Sequence, residues 1–366
     1  MMARDSATES ERGRIRLGII AQTVIERLAL ASGRVPEPMV EAFLPLVLAR
    51  SIMAGVRLGV FATLAQGPLT TDAVAQECHA NPRATAALLE ALASADYLTE
   101  RDGRYALSRK SRAWLTPGTP ADTSAYIRFN YLQWDWLGEL ETFIQTGAPI
   151  AFHERLTPDE WRDYERGMAA IARLTLPEVV WRTPVPEGAT AMLDIGGGHG
   201  LAAARFCQRY PALNATILDL PQALATEVAL PAAVSSRIER LAGDALTADL
   251  GVETYDLIYV ANLLHHFDAS QIAGLASRIA AALRPGGVWV IQDGVRERRR
   301  RSQRMPAALG DLYFALTSAS GFWSFAEMAN WQARAGLRLL RPIRLWTAPG
   351  QGLQIARKPH GVGARS

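Results

Sequence analysis

A doubly wound α/β domain, preceded by a smaller and mostly helical N-terminal domain, is the fold class that the sequence predicts. Three observations carry this. From Ala189 onward, short and nearly all-apolar runs (AMLDIGG, NATILDL, DLIYVAN and GGVWVIQD) alternate with helical stretches (HGLAAARFCQRY and QIAGLASRIAAAL). Strands apolar on both faces belong to a sheet that helices cover on both sides. The first run opens onto a glycine-rich turn and then a helix. Ahead of it, residues 36–107 read as helix, helix, helix, hairpin. A chain of 366 residues, at roughly 100–200 residues per domain, has room for both parts.

The elements follow in order. From Pro36 to Val60 the chain is apolar and helical in character (AFLPLVLARSIMAGVRLGVF). A helix apolar on most faces has to be covered, and in a small domain a partner subunit is the natural cover. Thr71 is the expected N-cap of a short helix running towards Cys78. Asn81-Pro82 starts the next helix, with Pro82 at its first position. Leu88, Leu89, Leu92 and Ala95 recur along it at helical spacing. Tyr97-Leu98 and Tyr105–Leu107 then read as two short strands around an Asp102-Gly103 turn. This is the winged-helix pattern. A DNA reader of that pattern carries several Lys or Arg on its second helix. Here that helix offers Arg83 alone, so a dimerisation module is the preferred reading.

Residues 120–185 form a helical region rich in aromatics (Tyr126, Phe129, Tyr131, Trp134, Trp136, Phe143, Phe152, Trp161, Tyr164), with a loop near 147–152. Such rings pack a core, and in a two-domain enzyme they also roof a substrate pocket. Pro184, Pro186 and Gly188 mark the next boundary. The expected segments are an N-terminal extension at 1–34, partly disordered; a winged-helix-like domain at 35–118; the helical roof at 119–185; and the α/β domain at 186–360.

Composition narrows the class. Half the residues are apolar (49%), a fifth are charged (20%) and the formal net charge is +3, too mild a balance to imply nucleic acid. The two cysteines, Cys78 and Cys207, match no metal spacing and no disulfide framework, which fits a reducing cytoplasm. The apolar stretch Leu17–Leu30 is broken by Gln22, Glu26 and Arg27. We read no signal peptide and no uninterrupted apolar run long enough to span a bilayer, hence no membrane partner. The first dozen residues and the tail from His360 read as disordered ends.

The chemistry concentrates after the first strand, in Asp194-Ile195-Gly196-Gly197-Gly198-His199-Gly200. Glycines there let the backbone turn tightly and approach a ligand closely. The spacing is GxGxG, not the GxGxxG of dinucleotide binders. Asp194, at the strand end, would oppose a pyrophosphate but suits a cationic ligand bearing an ammonium and a sulfonium. Asp219 ends the second strand, where a carboxylate accepts from ribose hydroxyls. Asp244, in LAGDAL, is positioned for an adenine amino group. One such acid alone is equally well a loop cap; three in succession with the glycine turn are not.

On LDIGGGHG, LDLP, GDAL, ANLLHHFD and LRPGG, the chain resembles the class I S-adenosylmethionine-dependent small-molecule O-methyltransferases, the plant caffeate type and their bacterial relatives in pigment and antibiotic pathways. The resemblance runs from about Pro36 to Lys358, including the winged-helix dimerisation domain. It implies a Rossmann-like methyltransferase domain, a homodimer, and S-adenosylmethionine held by Asp194, Gly196, Gly198, Asp219, Leu220, Asp244 and Ala245, with S-adenosylhomocysteine as product. By position in the motif, His265 matches the general base that removes a phenolic proton; an imidazole with a pKa near ~6.5 suits that task. His266 stands where the family has Asp. Asp293 aligns with the first acid that orients the base. The second falls on Phe325, with Glu327 two residues on. That departure leaves N- or C-methylation open, where proximity alone supplies much of the rate. By family position and apolar character, Trp134, Met168, Leu176, Phe314 and Phe322, with His266, line a pocket for a planar aromatic acceptor. No metal is implied, since no ligand cluster is left over. The run Arg296, Arg298, Arg299, Arg300, Arg301 and Arg304 reads as a solvated loop, or as an attractor for an acidic substrate or carrier protein. Two further classes stay open: a DNA-binding regulator with a vestigial cofactor domain, and an NAD-dependent Rossmann enzyme.

Overall fold

The computed structural model describes residues 23–226, 228–296, 304–318 and 320–360. The first dozen residues and 361–366, expected as disordered ends, lie outside these, as do Arg298 to Arg301. The described chain forms two compact units: the first runs to Pro117 and also takes in residues 304–306, and the second begins at Gly118 and resumes at Ala307.

The first unit opens with α1 (Val24–Ala31), whose Thr23 and Glu26 form a capping box. Then come α2 (Glu37–Arg57), α3 (Val60–Leu64), β1 (Leu69–Thr70), α4 (Thr71–Glu77), α5 (Pro82–Ser94), β2 (Leu98–Arg101), β3 (Arg104–Leu107) and α6 (Arg109–Trp114). The N-cap of α4 is Thr70, whose side chain accepts from Ala73 N–H, and Thr71 is already helical. Thr71 has the right chemistry but sits one residue too late. Asn81 caps α5, and Leu89 and Leu92 are fully buried. The strands pair in the order β1-β3-β2. Asp102 and Gly103, both at positive φ, make the tight turn that a two-residue hairpin favours. In α2, Met53, Gly55 and Val56 are buried, whereas Met39, Phe43, Leu44, Leu46 and Val47 are exposed within the chain. Glu41 and Arg50 interrupt its apolar run, yet by length and composition this helix is long enough to cross a membrane.

The second unit begins with α7 (Ser124–Leu137), α8 (Leu140–Thr146) and α9 (Pro158–Arg182). Then β4 (Ala191–Ile195), α10 (Leu201–Arg209), β5 (Asn214–Asp219), α11 (Pro221–Leu224), α12 (Ala232–Ser235), β6 (Ile238–Ala242), β7 (Tyr255–Ala261), α13 (Ala269–Ala282) and β8 (Leu283–Gly294) alternate. The chain finishes with α14 (Arg304–Thr317), α15 (Phe325–Arg334), β9 (Arg338–Leu339), β10 (Ile343–Arg344) and β11 (Gln351–Arg357). The sheet runs β10-β11-β8-β7-β4-β5-β6, with β9 also on β11. Strands β4 to β8 are mutually parallel and β11 is antiparallel to β8. The chain winds outward from β4 in both directions, so the switch point lies between β4 and β7. Ligands of open α/β sheets bind outside the strand ends there.

Period-two alternation sends neighbouring residues to opposite cores. Met192, Ile217, Leu257 and Val288 join Val179 and Phe206 in one core. Leu193, Leu218, Ile258 and Trp289 join Ile279 and Trp331 in the other. The apolar runs of the sequence are therefore the central strands. Strands β6 and β11 were not among them, for separate reasons. β6 (IERLA) is an edge strand with four exposed residues. In β11 (QGLQIAR) the glutamines break the apolar pattern, although Gln354 is buried and bonded to Gln332 (3.2 Å).

A buried carboxylate ties α9 to the loop before β11. Glu178 accepts from Trp346 N–H (2.9 and 3.0 Å), from Thr347 N–H (2.8 Å) and hydroxyl (2.8 Å), and from Arg182 (2.7 Å). Burial by itself raises its pKa, but these donors outweigh burial and hold it at about 2, below the ordinary 4.5. A depressed carboxylate stabilises the fold above its unfolded pKa and loses that contribution as pH falls through the folded one. Replacing Glu178 with Gln is accordingly expected to lower the melting temperature most above about pH 5. The gap to the parent should close as pH falls from 4.5 towards 2, as calorimetric melts across that range will read. A gap that is constant with pH would refute this.

Candidate active site

One cavity of about 740 Å³ lies at the carboxyl ends of the parallel strands of the second unit. Its floor is the glycine turn between β4 and α10. Gly196, Gly198 and Gly200 all take positive φ. A Cβ on Gly197 would stand 2.6 Å from Asp194 Cγ, and one on Gly198 would stand 2.5 Å from Glu165 Oε2. No side chain fits at either place.

Carboxyl groups crowd this turn. Asp194 is buried beneath it, and its Oδ2 has no hydrogen-bond partner. Burial raises its pKa to about 7, assisted by Asp219 and opposed by the Ala203 N–H. Asp219 holds the turn, with Oδ2 accepting from Gly198 N–H (2.7 Å) and Oδ1 from Leu220 N–H (2.7 Å). Burial raises its pKa too, against those two bonds. Glu165, which the sequence did not single out, projects from α9 onto Gly198, and its Oε2 also lacks a partner. Burial and then Asp219 push it up to about 8, against Arg240. Arg240, on β6, donates to the Gly198 carbonyl (3.0 Å). Asp244 accepts from Leu246 N–H (2.8 Å) and lines the cavity with Ala245, Leu220 and Gly196. The sequence-predicted cofactor residues are thus brought together.

At the other end the chain leaves β7 through Asn262, at φ 49°, into a short turn, Leu264–His266. Ser320 donates to the His265 carbonyl (2.9 Å) and the Phe267 carbonyl (2.8 Å), and Trp323 Nε1 donates to the Leu264 carbonyl (3.0 Å). His265 is buried, with Nδ1 2.8 Å from Asp293 Oδ1. The same oxygen accepts from Gly294 N–H (2.8 Å). A carboxylate oxygen accepts, so in the neutral imidazole Nδ1 is the donor and Nε2 the acceptor. Asp293 stands behind His265, off the cavity wall. Phe314 packs on His265 (centroids 4.1 Å). The sequence's candidates for a second acid are occupied elsewhere. Phe325 packs against Gly352, and Glu327 caps α15 through Ser324 while pairing with Arg296 (2.8 Å).

The walls come from helix faces. Trp161, Tyr164, Glu165, Met168, Thr175 and Leu176 line the cavity from one face of α9. Tyr126, Phe129, Gln133 and Leu137 do so from α7, at the three- and four-residue steps of one helix stripe. Trp134 does not join them, because it lies one position round α7 from that stripe. Phe322 is likewise not a wall residue. Its ring fills the space left by Gly294 and Gly310, behind Phe314 (centroids 4.9 Å). Their apolar character was read correctly, but only the helix stripe and the two glycines decide which rings reach the cavity. Met168, Leu176, Phe314 and His266 are at the wall. Besides Glu165, the wall includes His153, beside His266, and Gln133, which is bonded to Tyr313 hydroxyl (2.9 Å). Neither stands in a sequence motif.

Comparison with known proteins bears on this geometry. A family model described as O-methyltransferase domain matches residues 139–337, and one described as O-methyltransferase dimerisation domain matches 41–117. The chain is similar to a 3-hydroxy-5-methyl-1-naphthoate 3-O-methyltransferase of Streptomyces sahachiroi, 27% identical over 84% of this chain and 90% of that one. It is also similar to the mitomycin biosynthesis 6-O-methyltransferase of Streptomyces lavendulae, 26% identical over 84% and 91%. Among solved structures, human N-acetylserotonin methyltransferase in complex with SAM superposes with a TM-score of 0.77, at 20% identity over 93% of this chain and 99% of that one, a likeness of fold. The chain belongs to the O-methyltransferase family, and its N-terminal unit carries that family's dimerisation domain.

Proposed function

We propose that this protein methylates a hydroxyl group on a planar aromatic or polyketide-like small molecule. S-adenosylmethionine would be the donor and His265 the general base. The observation that carries the reading is His265 on the wall of the cavity that holds the glycine turn, with the buried Asp293 bonded behind it. The hydroxynaphthoate named for the Streptomyces sahachiroi relative supports the aromatic class.

The residues at the turn fit the cofactor. Two buried carboxyl oxygens, Glu165 Oε2 and Asp194 Oδ2, lack partners, and a buried orphan acceptor is costly unless a ligand satisfies it. A ligand with an ammonium and a sulfonium would meet that need. A pyrophosphate would be repelled, which argues against a nicotinamide dinucleotide. Asp194, Gly196, Gly198, Asp219, Leu220, Asp244 and Ala245, with Glu165, would hold it. When bound, S-adenosylmethionine supplies an electrophilic methyl group.

The chain's own part is proton handling and orientation. Asp293 fixes the ring and the tautomer of His265, and Nε2 takes the proton from the acceptor hydroxyl as the oxygen becomes nucleophilic. Phe314 and the α9 face exclude water and hold the acceptor plane. A positioned base contributes about 10²–10⁴ in rate.

For the first unit, we infer that a second copy of the chain covers α2, forming a homodimer. The dimerisation-domain match includes most of this helix and its exposed Phe43, Leu44 and Val47.

Four outcomes are expected. His265→Ala should lose about 10²–10⁴ in kcat while calorimetry still records one-to-one S-adenosylmethionine binding and no NAD binding. Asp293→Asn should lose rate in the same manner. Retained rate in His265→Ala would favour N- or C-methylation by proximity. Because Glu165 sits near 8 and Asp194 near 7, both are largely protonated below those values, and a cation stabilises their charged forms. S-adenosylmethionine binding at pH 7 should therefore release protons, seen as buffer-dependent heats, and affinity should rise from pH 6 to 8. Glu165→Gln should reduce the release; equal heats in all buffers would refute it. Phe43→Asp with Val47→Asp should shift the sedimenting species from dimer to monomer, and a persistent dimer would place the interface elsewhere.

A further inference from the structure

Three imidazoles stand in a row along the acceptor end of the cavity. The His265 and His266 ring centroids are 4.2 Å apart, and those of His266 and His153 are 4.7 Å apart. All three line the cavity. Among the described residues, only His265 of the three has a carboxylate behind it. His266 Nδ1 is 2.7 Å from Ser318 Oγ, and among the described residues no hydrogen bond reaches its Nε2. The His153 ring is stacked on Trp161 (5.5 Å, 21°) and packed on Phe152 (3.9 Å), so its plane is fixed. Among the described residues no hydrogen bond reaches it. Burial first, and then the neighbouring imidazoles, hold both rings uncharged. His153 falls to about 4 and His266 well below its ordinary value.

We propose that His153 and His266 form a second recognition point for the acceptor, hydrogen-bonding an uncharged oxygen that flanks the hydroxyl presented to His265. This rests on the aromatic-acceptor reading above. A neutral imidazole carries one donor and one acceptor, so the pair matches a hydroxyl or carbonyl oxygen and offers nothing to a cation. A side-by-side row of imidazoles fits two oxygens on neighbouring or peri ring positions, one at the base and one at the pair. The preferred acceptors would then be ortho- or peri-dioxygenated rings, with His153 a specificity-determining residue outside the proton-transfer pair.

The test titrates enzyme saturated with S-adenosylhomocysteine with 1-naphthol, 2,3-dihydroxynaphthalene and 1,8-dihydroxynaphthalene, by calorimetry. One net hydrogen bond corresponds to about 3- to 10-fold, so at least one dihydroxynaphthalene should bind tighter than 1-naphthol by about that factor. His153→Phe should erase the preference within the same variant, and His153→Gln, which keeps a donor and an acceptor, should retain part of it. In turnover with a dihydroxynaphthalene, His153→Phe should raise KM more than it lowers kcat. Melting curves verify that each variant is folded. Equal affinity for mono- and dihydroxy ligands in the parent protein would overturn the proposal. So would a preference that persists in folded His153→Phe. If no naphthol binds while S-adenosylhomocysteine does, the aromatic-acceptor reading fails and takes this proposal with it.

Discussion

Parallel pairing of β7 with β8 sets the register on which the site depends. Ala261 stands opposite Gln292, so β7 ends one residue short of Asp293, and the chain turns there. The turn is held by backbone acceptors rather than by its own side chains: Asn262 N–H to the Gln292 carbonyl (2.8 Å), Ser320 to two carbonyls, and Trp323 to a third. His265 is thereby laid against Asp293. A shift of one residue would turn Asp293 to the opposite face of the sheet. On the other side of β7, pairing with β4 aligns Ile195 with Val260, which brings the glycine turn to the same edge. Three strand ends in register thus assemble one cavity.

That cavity is electrostatically divided. Around the glycine turn, Glu165, Asp194 and Asp219 crowd together, and of the three Glu165 is the one that Arg240 favours in its charged form; Arg240 is itself bonded to the Gly198 carbonyl. Burial and mutual repulsion leave the carboxyls reluctant to ionise until a positive ligand arrives. Around His265 the cavity wall offers imidazoles, hydroxyls and amides, with the Asp293 carboxylate behind it and Phe152, Tyr164 and Phe314 among them. One end suits a cation and the other a neutral planar molecule. A methyl donor and its acceptor need such a division, because the charge on the donor disappears as the methyl group leaves.

The helices that build the roof also decide its chemistry. α9 is long enough to run from the sheet core at Val179 to the cavity wall at Trp161. Its phase is what matters: Glu165, Met168 and Leu176 share the stripe that faces inward. Gly167 permits close approach to Phe129, where a Cβ would lie 2.9 Å from Phe129 Cβ. The Phe129–Tyr164 contact (5.4 Å) and the Trp136–Phe152 contact (4.3 Å) then tie α7 and α9 to the turn that presents His153.

The sequence by itself determined the central strands, the glycine turn, the acids Asp194, Asp219 and Asp244, and the neighbouring pair His265-His266. Each is written locally, in apolar runs, in glycines that must turn at positive φ, or in a contiguous motif. The Asp102-Gly103 hairpin and the Asn81-Pro82 helix start were legible for the same reason. What only the tertiary structure decided is everything set by the phase of one element against another. Trp134 and Phe322 are as aromatic as Tyr164 and Phe314, yet the first two miss the cavity wall, because helix rotation and the space at Gly294 and Gly310 are not properties of a single segment. Glu165 and His153 carry no motif; they matter because α9 and the 152–154 turn fold over strand ends far away in the chain. Strand β6 escaped notice because an edge strand needs no apolar run. Local chemistry dictates which residues are able to act, and long-range packing dictates which of them meet.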